Sequence, residues 1–440
     1  MDIQLHSEFF TTYMRAVERT ESPRLFHLWT AVSAIGSALG RRTWLPFGMA
    51  GEIFPNHFIL LVGPPAVRKS TAINVAARLL KDSTNVRFAP TDTGGQRQGF
   101  IRAMLQGSAK AEALGELIDA GFNMPFEDAK TKEVMESVAE NARMIEPCDK
   151  HVLAAYWSEL SGAIGQSNYS MIDFLVQAYD GQDYKYMTKG SEVTLKDTLM
   201  SILAATTPTS ISVCLPALAE GHGFLSRIIL VYGEENYQSV VWPELPSESD
   251  ISLLKQTLSD ISYNTKGPME VTRDAKAYAE TLYGAQLEIS DQRFAYYKAR
   301  RFTHLLKLSI VLAVSRKSQT IEKADIEVAH SILRLTERTM PDALGQFGLS
   351  PLSKVKQGIL EFLRAARTPV ETNIIVAHFH RDAKHQDIVD SLQDLLAAKA
   401  VVLKTHAQGG QLWSAVRLKT ENLASDMAKF LIERKEDSDA

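Results

Sequence analysis

Phe58-Ile-Leu-Leu-Val62 is an apolar run without a polar break, and Thr71 to Leu80 behind it returns apolar side chains at helical spacing. A short apolar run that gives way to a 3.6-residue period predicts a buried strand, a loop and an amphipathic helix. The same alternation recurs along the chain. Arg24 to Leu39 reads as a helix, Arg42 to Phe47 as a strand, Val86 to Ala89 as a second short strand, and His151 to Trp157 as a third. Residues 171 to 183 read as a helix, Leu199 to Thr206 as another buried strand and Ile228 to Tyr232 as a fifth. Strands alternating with helices predict an α/β fold around a parallel sheet. Tyr184 to Thr188 and Glu192 to Leu195, two β-prone runs around Lys189-Gly190, predict a hairpin set into that alternation.

The pattern changes at its ends. Residues 106 to 147 are rich in Ala, Glu and Lys and predict a helical surface insertion, while residues 236 to 250, with Pro243 and Pro246, predict a linker. Asp274 to Glu288, Arg301 to Ser315 and Lys323 to Thr339 then form a helical subdomain, closed by a hinge over Met340 to Leu352. Val355 to Ala365, Thr372 to Phe379 and Ile388 to Ala398 predict three short helices, followed by a hairpin of Val401 to Thr405 and Leu412 to Val416. Three helices and a β-wing describe a winged helix, which docks on DNA or on protein. The predicted organisation is an N-terminal helical collar (1–50), a core (51–235), a helical lid (236–340), a winged helix (350–418) and a charged tail (419–440).

Composition narrows the class. A chain of 440 residues with 45% hydrophobic content has room for several packed units. No apolar stretch reaches membrane-spanning length, and two cysteines, Cys148 and Cys214, provide neither a disulfide scaffold nor a cysteine-built zinc site. A cytoplasmic protein is expected. With a net charge of -4, nucleic-acid binding would have to come from local patches rather than from the whole surface.

Chemistry concentrates after the first strand, in Gly63-Pro64-Pro65-Ala66-Val67-Arg68-Lys69-Ser70-Thr71. Such a loop cradles phosphates: Gly63 allows a tight turn, backbone N–H groups and a helix N-terminus face the anion, Lys69 reaches the β and γ oxygens, and Ser70 ligates magnesium. Arg68 stands where that pattern has its second glycine. Ser158-Glu159 ends the third strand, where Glu159 is placed either as a base for an attacking water or as a helix cap, and Ser158 replaces the usual acidic magnesium contact by a hydroxyl. Thr206-Thr207-Pro208 ends the next strand, as a water-holding pair or a plain terminator. Arg227, just ahead of the fifth strand, is either a charge-neutralising arginine for a neighbouring subunit's nucleotide or a solvated surface residue.

The order of these parts resembles the AAA+ hexameric replicative helicases that carry a hairpin before the sensor strand, the minichromosome-maintenance and superfamily-three helicases. It resembles the phage and plasmid primase-helicase ATPases more closely. Phe54-Pro-Asn56, Arg68-Lys-Ser70, Tyr179-Asp180, Thr188-Lys-Gly190, Ala205-Thr-Thr-Pro208 and Gly223-Phe-Leu-Ser-Arg227 carry the likeness, which spans about residues 25 to 335. The resemblance implies ATP with Mg2+ held by Lys69, Ser70 and the loop, water polarised by Glu159, and Thr206 or Thr207 as sensor. It implies Arg227 as a finger supplied in trans within a hexameric ring, and Arg300 or Arg301 as a second sensor. It also implies a pore hairpin whose Lys189, with Lys185 and Tyr184 or Tyr186, grips single-stranded or forked DNA, a primase as partner, and no membrane. The expected function is a ring-shaped replicative helicase. The alternatives are an ATP-switched loader or a phosphate-loop scaffold, and Arg68 and Ser158 both bear on the hydrolysis rate.

Overall fold

A computed structural model describes residues 7–91, 96–106, 151–165, 168–187, 192–214, 223–242, 244–284, 289, 291–345, 351–366, 368–405 and 411–416. The insertion expected over 106–147, beyond its first residue, the hairpin tip with Lys189, and the tail at 419–440 lie outside these residues.

Residues up to Ala343 form one compact unit, and a second begins at Leu344. The first is α/β. Its centre is a four-stranded, all-parallel sheet of β1 (Phe58–Val62), β2 (Val152–Trp157), β5 (Leu199–Thr206) and β6 (Ile228–Tyr232), in the order β2-β5-β1-β6. Between β2 and β5 in sequence lies the antiparallel hairpin of β3 (Tyr184–Met187) and β4 (Glu192–Leu195). Phe88 adds a parallel bridge to Ala154 on β2, so the expected second strand is a single edge contact. Every residue of β1 and β5 is buried, the mark of a parallel sheet covered on both faces.

The helices follow from the same apolar spacing. α1 spans Glu8–Ala16, α2 Arg24–Leu39, α3 Lys69–Ser83 and α4 Tyr169–Tyr179. After the sheet come α5 (Glu248–Asn264), α6 (Arg273–Tyr283), α7 (Ala295–Ser315) and α8 (Lys323–Glu337). Leu25 to Leu39 are all buried. α2 is therefore a core helix packed on α3 and β5. The expected strand at 42–47 exists as Thr43–Pro46 but belongs to a separate three-stranded sheet with Glu52–Ile53 and Gly267–Pro268. That pairing ties the beginning of the chain to the region expected as a lid, and the same compact unit holds both. Part of the expected linker is helical: Ser247 caps α5 by accepting the Asp250 N–H. Its buried Leu254, Leu258 and Ile261 then repeat at helical spacing.

The second unit runs α9 (Pro351–Ala365), β7 (Val370–Glu371), α10 (Thr372–Phe379), α11 (His385–Ala397), β8 (Val401–Thr405) and β9 (Gln411–Ala415), its strands ordered β7-β9-β8. Ile359, Ile375, Ile388, Leu392, Val401 and Trp413 form its core, and the Trp413 indole donates to Thr372 Oγ1 at 2.9 Å.

Candidate functional site

Because the central strands are parallel, their C-terminal ends share one edge, the position at which open α/β sheets bind ligands. β1 delivers Gly63 there. A Cβ at Gly63 would sit 2.2 Å from the Gly233 carbonyl oxygen, and Gly233 N–H itself donates to Val62 O at 2.9 Å. The glycine is thus required by the close approach of the strand next door rather than by a turn. The strain of the loop falls on Ala66 (φ 72°) and Arg68 (φ 49°), both left-handed. For a residue with a side chain this conformation costs about 1 kcal/mol or more, which is why glycine is the usual occupant.

Two tethers hold Arg68 in that conformation. Ser22 Oγ donates to its carbonyl at 2.7 Å, and its guanidinium pairs with Glu21. The side chain that stands in place of the second glycine is turned toward residue 21. The Glu21 carboxylate also accepts the Val240 N–H, and this contact first, then Arg68, lowers its pKa. Lys69 opens α3 with its ammonium donating to Gly63 O at 2.8 Å and Pro64 O at 2.7 Å. Burial lowers its pKa, and the nearby Glu159 carboxylate opposes that shift. Behind it the first N–H groups of a 15-residue helix face outward, with Ser70 partly buried and Thr71 exposed.

Ser158 and Glu159, both exposed, follow β2 directly. Glu159 precedes the short helix Leu160–Ile164 in an extended conformation, yet its carboxylate makes no cap hydrogen bond and accepts instead from Ser161 Oγ at 3.3 Å. The capping alternative therefore fails for this side chain. The threonines divide. Thr207 Oγ1 accepts the Ser210 N–H at 3.1 Å and caps the helix Pro208–Cys214, so it terminates the strand. Thr206, fully buried and in register with Val62, keeps only a 3.5 Å contact to the Thr207 carbonyl. Were magnesium bound at this edge, the hydroxyls of Ser70 and Ser158 are the groups that would hold it. Among the described residues no three His, Cys, Asp or Glu side chains gather into a cage. Such a set fits a magnesium ion that keeps waters and phosphate oxygens as most of its ligands.

The opposite edge of the sheet holds the other candidates. Arg227, 6% exposed, pairs with Asp180 and donates from Nη1 to Gly223 O at 2.7 Å. Arg300 Nη1 reaches the same carboxylate at 3.0 Å, while Arg301 pairs with Glu337 at 2.6 Å. The finger expected to project to a neighbouring subunit is turned into its own chain. Beside it, Lys307 donates to Phe54 O at 2.8 Å and to Asn56 Oδ1, and Asn56 Nδ2 donates to Tyr179 O and Met200 O. Burial brings Lys307 down to about 7, with its ammonium 4.4 Å from the Tyr179 ring centroid. His304, also buried, is held at about 3 by desolvation and bonds the Ser226 carbonyl at 3.0 Å. Of the Asn56–Lys307 pair, the sequence points to Asn56 within Phe54-Pro-Asn56 but not to its partner, whose signal is one lysine inside Leu305-Leu-Lys-Leu-Ser-Ile310.

The hairpin is rooted by Tyr184, buried with its ring 4.9 Å from that of Phe174, and leaves Lys185 exposed. In the C-terminal unit, α11 carries Asp387, Asp390 and Asp394 and no Lys or Arg, and Lys356 pairs with Asp394. A helix so charged repels a phosphate backbone. No helix among the described residues is long and apolar enough to cross a membrane. Compared with known proteins, the chain matches no family model, and no curated protein sequence matches it.

Proposed function

We propose that the chain is an ATP hydrolase that works on single-stranded or forked DNA as a ring-shaped helicase of the AAA+ kind. The observation that carries the reading is the convergence, at one edge of a parallel sheet, of the Lys69 loop, Ser158-Glu159 and Thr206 on adjacent strands. A phosphate cradle, a carboxylate and a hydroxyl in that arrangement form the working parts of phosphoryl transfer to water. Lys69 exchanges its two carbonyl acceptors for β and γ phosphate oxygens, Glu159 polarises the attacking water, and Thr206 Oγ1 orients it. Ser70 is the hydroxyl that would hold Mg2+, whose charge offsets that of the phosphates. Lys185 on the hairpin supplies a phosphate contact for DNA. The order helix, strand, two helices and hairpin in the second unit supports a winged helix, and the acidic α11 favours a protein partner for it, a primase among the candidates.

DNA-stimulated ATP hydrolysis with displacement of a strand from a forked substrate tests this reading. The pairing of Arg227 with Asp180 favours a second one, an ATP-switched loader that assembles on DNA without unwinding it. Nucleotide-dependent DNA binding with no strand displacement is its signature.

A further inference from the structure

At the foot of the hairpin lies an open cleft of about 360 Å³, lined by Gln96, Arg97, Gln98, Asn168, Ser170 and Tyr186. Its residues come from three places: the start of the helix over 97–106, the N-terminus of α4, and the face of β3 that carries Tyr184 and the half-buried Tyr186. The arrangement is built. Arg97 lies over the Tyr186 ring with its Cζ 5.0 Å from the centroid, and its Nη1 donates to Tyr184 OH at 3.1 Å. Gln98 Nε2 donates to Tyr186 OH at 2.8 Å, which fixes the ring and leaves the Gln98 carbonyl oxygen as an acceptor. Asn168 Oδ1 is spent on the Met171 N–H as the cap of α4. The Gln96 carboxamide makes no hydrogen bond among the described residues. No carboxylate lines the cleft among the described residues, and the one charged side chain in its lining is that of Arg97.

A planar ring backed by a guanidinium offers a stacking platform, the Gln96 carboxamide offers a donor and an acceptor in one plane, and the one charged side chain of the lining is a cation. That combination suits a nucleobase on a phosphodiester strand. From it we propose that the cleft takes an adenine base of single-stranded DNA, stacked on Tyr186 with its N6 and N7 edge read by Gln96 and Gln98. Carboxamides pair two-fold with that edge, and stacking adds to the preference. The inference rests on the DNA reading of the hairpin and goes beyond it, because a grip on phosphates alone is indifferent to base.

The test is fluorescence anisotropy of the full chain with labelled oligo-dA and oligo-dT of equal length, in the wild type, in Gln98→Leu and in Gln96→Ala. Gln96 is exposed, so its truncation leaves folding intact even if Gln98→Leu disturbs the Tyr186 ring. The expected result is a loss of oligo-dA affinity of about fivefold in each variant, with oligo-dT affinity moved by less than about twofold. Reading the ratio between variants cancels the self-stacking of free oligo-dA. Unchanged affinities for both strands overturn the base-reading site while leaving the DNA reading intact, and so does an equal loss for both. Wild-type protein that binds neither strand overturns the inference together with the DNA reading beneath it.

Discussion

The two edges of the central sheet carry polar groups of the same kinds and use them in opposite ways. At the C-terminal edge, Lys69, Ser158 and Glu159 are partly or fully open, and their contacts are sparse: backbone carbonyls of the loop itself and one hydroxyl. At the N-terminal edge, Arg227, Arg300, Asp180, Lys307 and Asn56 are bound to one another and to main-chain carbonyls. Groups that are already satisfied stabilise a fold; groups held in place with capacity to spare can bind a ligand. The difference separates two sets of residues that look equally chemical in the sequence.

The largest effect that sharpens this contrast is expected at Arg227. Replacing it with Ala leaves a largely buried Asp180 with Arg300 as its remaining partner, and urea unfolding should show a loss of about 3 kcal/mol. A variant that melts like the wild type but no longer hydrolyses ATP would break the contrast, since Arg227 would then serve the nucleotide. At the other edge, Lys69→Ala should lower ATP turnover about 100-fold while moving the melting curve little.

Lys307 gives a pH signature for the buried edge. Its pKa is about 7 in the fold and near 10.5 in the unfolded chain, so between these values the unfolded state binds more protons. Its contribution is fully present above the unfolded value and is lost as pH falls toward 7. Stability should therefore rise by roughly 2 kcal/mol from pH 7 to pH 9, and Lys307→Met should flatten that slope. The buried His304 works the same way lower down: depressed to about 3, it costs stability as pH falls from 6.5 toward that value. Chemical denaturation at a series of pH values reads both.

The smallest effect belongs to Arg68. Arg68→Gly relieves a left-handed φ that costs about 1 kcal/mol or more but removes the half-exposed pair with Glu21, a term of about 1 kcal/mol or less that opposes it. A melting shift within about 1 kcal/mol is expected. A collapse of stability would mean that the tether to Glu21 and the 236–242 segment is structural in its own right.

Much of the fold was legible in the chain because period decides it. β1, β5 and β6 lie where their mostly apolar runs predict them, since a parallel strand covered on both faces is apolar nearly throughout, while α10 lies where helical spacing predicts it and the hairpin strands where β-prone residues do. Glu159 and Thr206 were legible as strand-end residues. What escaped was set by tertiary contact. Nothing local tells that Gly63 faces Gly233, that Arg68 turns to Glu21, or that Arg227 meets Asp180 47 residues earlier in the chain. The start of α5 is hidden in the sequence because its cap, Ser247, directly follows the turn-forming Pro243 and Pro246.

Every proposed step requires nucleotide binding at the Lys69 edge, and calorimetric titration of ATP with Mg2+ into the wild type, Glu159→Gln and Lys69→Ala measures it. Binding is expected by the wild type and by Glu159→Gln, which binds without turning over, and loss of binding in Lys69→Ala. Equal binding by all three, or none by the wild type, would contradict the proposal.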